Sequence, residues 1–198
     1  MRDIILASKS AGRREMLEGA GLIFQCVPAT IDERSIEEKL QQIESLNDNI
    51  ALELAKEKAL AISVQHNESI VIGSDQILEC GGVALHKAAN QEEAKEKLQH
   101  LSGKTHRLIS SVCLARGGKI LWSAVQSAEL TMHDLDDDTL DDYLAKAGGA
   151  LTSCVGAYAL EGHGSWLFSK IEGDYFTILG MPLLPLLTEL RTNHGVRI

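Results

Sequence analysis

The sequence predicts an α/β protein built as one unit on a mixed β-sheet, and three observations carry that reading. Strand-like apolar runs alternate with amphipathic helical stretches over the first hundred residues. Ile70-Val71-Ile72 is wholly apolar and β-branched, as a strand covered on both faces has to be. Three further strand-like runs then follow one another with short connections, which is the pattern of a meander.

Taken in order, Asp3–Ala7 reads as a strand and Arg13–Ala20 as a helix, with Met16, Leu17 and Ala20 at helical spacing. Gly21 breaks that pattern, and Phe24–Pro28 reads as a second strand leading to Asp32-Glu33 at its exit. Residues 35–49 are polar and irregular, compatible with a loop, a short helix or both. Ile50–Val64 is a strong helix whose apolar face includes the flank of Lys58. Ser69–Ser74 is the apolar strand, closed by Gly73-Ser74-Asp75-Gln76, so that Asp75 stands at a strand exit, where ligand chemistry gathers in open α/β sheets. Ile77–Cys80, the turn Gly81-Gly82 and Val83–Leu85 fit a hairpin that delivers His86-Lys87. Gln91–Leu101 is an amphipathic helix stopped by Ser102-Gly103. Thr105–Ala115, Lys119–Val125 and Ala128–Met132 form the meander, an acidic helix runs from Leu135 to about Lys146, and a last helix runs from Leu183 to about Asn193. No repeat, linker or low-complexity tract divides the 198 residues, so one domain over 1–198 is expected.

Composition narrows the function. Nineteen basic against 28 acidic residues leave a net charge of −9, which argues against a hold on a nucleic acid polymer or an anionic membrane. No run approaches the ~20 apolar residues of a membrane span. The four cysteines, Cys26, Cys80, Cys113 and Cys154, are far apart and form no Cys-x-x-Cys pair, so neither a zinc site nor a disulfide framework is expected. With no signal-like run after Met1-Arg2-Asp3, a cytoplasmic protein is expected.

The chemistry-bearing residues fall at the ends of elements. Ser8, Ser10 and Arg13 stand where the first strand meets the first helix, and unpaired N–H groups at a helix N-terminus favour an anion. A capped helix carrying two solvated arginines, Arg13 and Arg14, explains the same stretch equally well. Together Ser8, Ser10, Arg13, Lys58 and Lys87 supply hydroxyls and cations, while Glu33 and Asp75 supply carboxylates. That set suits a nucleoside triphosphate carried as its magnesium or manganese chelate: oxygen ligands for a hard divalent cation and basic groups for phosphates. A P-loop motif and a dinucleotide glycine motif are both absent. The seven histidines have no metal-ligand spacing, the acidic helix reads as solvated, and Tyr158, Trp122 and Trp166 read as core or edge-strand aromatics.

These residues carry a resemblance. Leu6-Ala7-Ser8-Lys9-Ser10 followed by Arg13-Arg14 resembles the opening LASxSPxRR or LASxSPRR motif of the Maf proteins, which are cytoplasmic nucleoside triphosphate pyrophosphatases. Ile31-Asp32-Glu33, Ala55-Lys56-Glu57-Lys58-Ala59, Gly73-Ser74-Asp75-Gln76, Leu101-Ser102-Gly103-Lys104-Thr105-His106 and Leu179-Gly180-Met181-Pro182-Leu183 resemble the family's later motifs, in the same order. The resemblance implies an elongated mixed sheet with flanking helices and two lobes around a cleft, similar to inosine triphosphatases. It implies hydrolysis of a nucleoside triphosphate to the monophosphate and pyrophosphate by metal-activated water. Asp75 would be the base and a metal ligand, Glu33 a metal ligand, and Ser8, Ser10, Arg13, Lys58 and Lys87 phosphate contacts. Base selection would fall to Gln76 and Glu161, which look like the 7-methyl-GTP branch, whereas Gly12 stands where that branch has Trp. Ala11 replaces the family proline, and His86-Lys87-Ala88 keeps the lysine of a Gly-Lys-Pro motif without its two turn formers. A nucleotide-binding regulator of division or stress with little turnover is the alternative, and a homodimer stays open.

Overall fold

A parallel pair opens the chain. In the computed structural model, which describes residues 3–42 and 46–197, β1 (Ile4–Leu6) lies parallel to both β2 (Gln25–Cys26) and β3 (Ile70–Cys80), with Ile5 opposite Val71 and Leu6 opposite Ile72. Between them come α1 (Ala11–Gly19), α2 (Glu33–Gln42) and α3 (Asn47–Ser63). The chain continues through β4 (Val83–Leu85), α4 (Gln91–Leu101), β5 (Thr105–Arg116), β6 (Lys119–Met132), α5 (Asp137–Ala147) and α6 (Ala150–Ser153). A 3₁₀ turn at His163–Leu167, β7 (Phe168–Glu172), α7 (Tyr175–Ile178) and α8 (Leu183–His194) complete it. The seven strands form a mixed sheet in the order β2-β1-β3-β5-β6-β7, with β4 antiparallel to β3 and β7 antiparallel to β6. The mixed α/β class read from the sequence is the class observed. No described helix is long and apolar enough to cross a membrane.

Two compact units share the described residues, each discontinuous in sequence: Met1–Gln76, Ile109–Gln126 and Tyr175–Ile198 make the first, and Ile77–Leu108 with Ser127–Asp174 the second. In the first unit both faces of the parallel strands are covered. Ile4, Leu6, Ile70 and Ile72 pack with Leu17, Met181 and Leu186, while Ile5 and Val71 pack with Ala55, Ala59 and Ile62 of α3. That two-sided burial is why these runs carry no alternating polar residues. In the second unit Leu98 and Leu101 of α4, Leu140 and Tyr143 of α5 and Leu130 of β6 are buried, and α4 packs on α5.

Several expectations change. β3 does not end at Ser74: it runs on through Gln76 to Cys80 as one strand, so Asp75 stands inside a strand and not at its exit. Gly73 does not stop it, because its missing side chain serves close packing. A Cβ there would lie 2.1 Å from the Ala55 carbonyl oxygen on α3. The break expected at Gln126-Ser127 is also absent, and β6 runs unbroken over 14 residues, since exposed polar side chains do not interrupt backbone pairing. Glu33 opens α2 instead of ending a strand, and no residue of α2 is buried. A cap from Asp32 Oδ1 to the Ser35 N–H (3.1 Å) and the Arg34–Glu38 pair one turn apart hold that helix. Residues 43–45 of the polar stretch lie outside the described residues. Trp166, expected in a core or on a strand edge, is 83% exposed in the 3₁₀ turn, whereas Tyr158 is buried.

Candidate active site

Two carboxylates among the first unit's expected site residues, Glu33 and Asp75, meet at one buried ammonium. Lys58 sits on the inner face of α3, and its Nζ donates to Asp75 Oδ1 at 2.6 Å and lies 3.0 Å from Glu33 Oε1. Lys58 and Asp75 are each 11% exposed at the side chain, and Glu33 is 51% exposed. Burial pushes the Asp75 carboxyl above the usual carboxylate range, against the pull of Lys58 and Arg13, with Glu33 adding to the rise. A carboxyl held in that way is a stronger base than an exposed one.

The turn between β1 and α1 is more occupied than an open anion cradle. Ser10 is the N-cap of α1, its Oγ accepting from the Arg13 N–H at 3.4 Å, while Ser8 Oγ accepts from the Ser10 N–H at 3.1 Å and from Arg13 Nη1 at 3.4 Å. The Arg13 guanidinium is buried. Its Nε donates to the Gly180 carbonyl at 3.0 Å and its Nη1 to the Ser74 carbonyl at 2.8 Å. Burial pulls its pKa down from the usual arginine value while Asp75 and Glu33 pull the other way, and a guanidinium keeps its proton in either case. Arg13 is therefore a fixed positive charge beside Asp75, with a side chain that also clasps the Gly180 segment. Arg14 points outward, 53% exposed, in a 3.7 Å pair with Glu18.

Gln76 is similarly committed. Its Nε2 lies 3.1 Å from Ser110 Oγ, 3.1 Å from the Thr177 carbonyl and 3.0 Å from the Ile178 carbonyl. Ser110 Oγ itself donates to the Thr177 carbonyl at 2.8 Å, so it accepts from Gln76. The amide nitrogen thus has only acceptors around it, which leaves the carboxamide oxygen as the part still open to a ligand. Gly12, half-buried near the start of α1, has only the Leu179 carbonyl oxygen near a built Cβ, at 3.9 Å, so a Cβ is accommodated there without a clash.

Lys87 and Glu161 belong to the second unit, where both are exposed. They bear on a common neighbour: Glu161 raises and Lys87 lowers the pKa of the half-buried Cys154, whose rise comes first from burial.

Sequence reasoning missed the residues that hold this arrangement. Gly73 lets α3 approach β3. Ser111 Oγ lies 2.6 Å from the Ala51 carbonyl and 3.3 Å from the Asp75 carbonyl, tying the same helix to the same strand. Gly180, at φ +111°, turns its carbonyl to both Arg13 Nε and Ser74 Oγ (3.2 Å). Gly73 and Gly180 carried a signal, as the glycines of Gly73-Ser74-Asp75-Gln76 and Leu179-Gly180-Met181-Pro182, and Ser111 carried none.

Glu33 and Asp75 face one point, now spanned by the Lys58 ammonium. No described group of three or more His, Cys, Asp or Glu side chains could enclose an ion by itself. Two carboxylates suit a hard cation that completes its shell with phosphate oxygens and water, so the donor set fits a magnesium-type ion that arrives with a nucleotide.

The family model described as Maf-like protein matches residues 3–193. The chain belongs to the Maf-like family. Among its relatives, the Maf-like chain is 50% identical over 188 residues to a protein of Rhizobium etli named 7-methyl-GTP pyrophosphatase, covering 95% of this chain and 94% of the relative. A protein of Brucella abortus with the same name is 47% identical over 193 residues, 98% of this chain and 97% of the relative. A protein of Nitrobacter winogradskyi named nucleoside triphosphate pyrophosphatase is 47% identical over 192 residues, 96% of this chain and 93% of the relative. A solved nucleoside-triphosphatase/dITP/XTP pyrophosphatase of Mycobacterium abscessus aligns over 98% of the Maf-like chain and 95% of its own at 13% identity, with a TM-score of 0.40, too low to carry a conclusion.

Proposed function

We propose that this Maf-like protein is a nucleoside triphosphate pyrophosphatase that hydrolyses its substrate between the α and β phosphates, and that guanine-type triphosphates, 7-methyl-GTP among them, are its preferred substrates. The observation that carries the reading is the buried Lys58–Asp75 pair with Glu33 on the same ammonium. A protein that only bound nucleotide would need the cations but not a buried, basic carboxylate. The names of relatives at 47 to 50% identity support the same activity.

In this reading Asp75 accepts the proton of the attacking water, the new bond forms from water oxygen to the α-phosphorus, and the bond from that phosphorus to the α,β-bridging oxygen breaks, so pyrophosphate leaves with the electron pair. Lys58 and Arg13 stand beside the carboxylate and offset negative charge that builds on phosphate oxygens as the bond breaks. Glu33 and Asp75 would hold a magnesium or manganese ion, which when bound supplies positive charge on those oxygens. Glu161 selects the base. A carboxylate accepts from the N1–H and 2-amino group of guanine, whereas thymine offers it fewer donors.

Pyrophosphate release from a panel of canonical and 7-methylated triphosphates, with magnesium, with manganese and with chelator, tests this. Metal-dependent release with GTP or 7-methyl-GTP preferred is expected. No release from any triphosphate would leave the regulator reading, and preference for dTTP or UTP over all purines would remove Glu161 as selector.

A further inference from the structure

Lys97 sits one turn after Glu93 on α4, and both side chains reach back to the segment that precedes the helix. The Lys97 ammonium donates to the His86 carbonyl and, at 3.0 Å, to the Val155 carbonyl. Burial pulls its pKa below the usual lysine value, against the pull of Glu93. Glu93 in turn accepts the Ala89 N–H at 2.9 Å through Oε2, and the Asn90 side-chain amide at 3.2 Å through Oε1. The segment 86–89 is therefore gripped at both ends from one face of one helix, with Lys87 between the two grips. Lys87 itself is exposed and has no ion-pair partner among the described residues.

The grip matters because His86-Lys87-Ala88 has neither a glycine nor a proline to set its backbone. Without such residues a short exit from a strand samples several backbone states, and fixing it requires external bonds. The other carbonyl held by Lys97 belongs to a stiff segment. Gly156 has no room for a Cβ, which would lie 2.2 Å from the Tyr158 ring, and Ala157 takes φ +59° with its carbonyl bonded by Tyr143 Oη at 3.0 Å. Glu161 follows four residues later, and it bears on Cys154 together with Lys87.

We propose that Lys97 is a positioning residue for substrate recognition, its ammonium joining the His86 and Val155 carbonyls so that Lys87 and Glu161 are held at a fixed separation. The proposal rests on the reading above, in which those two side chains touch substrate. Lys97 touches neither substrate nor reacting atoms.

Steady-state kinetics of the full-length protein on GTP, 7-methyl-GTP and UTP test it with Lys97→Met, Lys97→Arg, Lys87→Met and Glu161→Gln. Lys97→Met should raise KM about tenfold, the worth of a charge-assisted hydrogen bond, leave kcat within about twofold, and narrow the GTP-to-UTP ratio. Lys97→Arg, which keeps the donors, should restore both. A lower melting temperature in Lys97→Met with KM and the ratio unchanged would mean a purely structural lysine and overturn the proposal. Effects at Lys87 and Glu161 without any at Lys97 overturn it alone. No effect at Lys87 or Glu161 overturns the contact reading and the proposal together. Lys97→Gln gives the same comparison should the methionine variant be insoluble.

Discussion

Lys58 Nζ lies 2.6 Å from Asp75 Oδ1, and the contact exists because α3 lies against β3 at Gly73, two residues before the carboxylate. A helix and a strand approach so closely only where one of them lacks a side chain. The glycine sets the distance that the ion pair then uses.

Replacing that glycine should therefore damage stability and chemistry together. In Gly73→Ala the new Cβ would meet the Ala55 carbonyl oxygen at 2.1 Å and the Ala59 nitrogen at 2.7 Å, both backbone atoms that move only with the helix. A loss of about 1 to 3 kcal/mol or more is expected in urea unfolding, with reduced turnover in the protein that remains folded. Wild-type stability would show that α3 does not depend on the glycine.

The Asp75 carboxyl should titrate above the ordinary value of about 3.9, because its burial outweighs its cations. A base works only when ionised, so kcat/KM should fall as pH falls through that raised value. Lys58→Met removes a cation that lowers the Asp75 pKa, so the carboxyl should titrate at still higher pH. Carbon NMR of the labelled carboxyl reads this even in an inactive variant. Asp75→Asn should lower turnover about 10²-fold or more with nucleotide binding roughly kept. Turnover near wild type in Asp75→Asn removes the residue as base.

Arg13 and Arg14 should part company. Arg13→Lys cannot reach the Gly180 and Ser74 carbonyls and Ser8 Oγ with one planar fork, and losing a hydrogen bond to a charged group costs about 1.5 to 3 kcal/mol. Arg14→Lys changes an exposed pair worth little. Thermal melts and turnover should both drop at position 13 and stay near wild type at 14. Equal small losses would contradict the clasp.

His106 is a buried titratable group of the second unit. It shares a 2.6 Å hydrogen bond with Tyr158 Oη, and burial pushes its pKa down to about 4. The unfolded chain takes up the proton near 6.5 and the folded one only near 4, so unfolding is favoured as pH falls through that window. The contribution is complete above pH 6.5, is lost progressively toward 4, and amounts to on the order of 3 kcal/mol. Urea midpoints of wild type and His106→Gln across that range should show the wild-type slope flattened in the variant. Parallel slopes would show that His106 does not report this burial.

By itself the sequence determined the α/β class, the helix over Gln91–Leu101 at its observed bounds, the Gly81-Gly82 hairpin and the family, because periodicity, turn glycines and motif order are local properties of the chain. It also singled out Glu33, Lys58 and Asp75 by residue type at element ends. Whether those three meet was not legible, since their separations in sequence are spanned by folding alone. Nor was the placement of Asp75 inside a strand, because a glycine reads the same whether it stops a strand or admits a helix. Only the tertiary structure decided that Arg13 and Gln76 spend their donors on the carbonyls of Ser74, Thr177, Ile178 and Gly180. Carbonyls belong to every residue and leave no mark in a sequence; burial requires that they be bonded, and packing chooses which side chain does it.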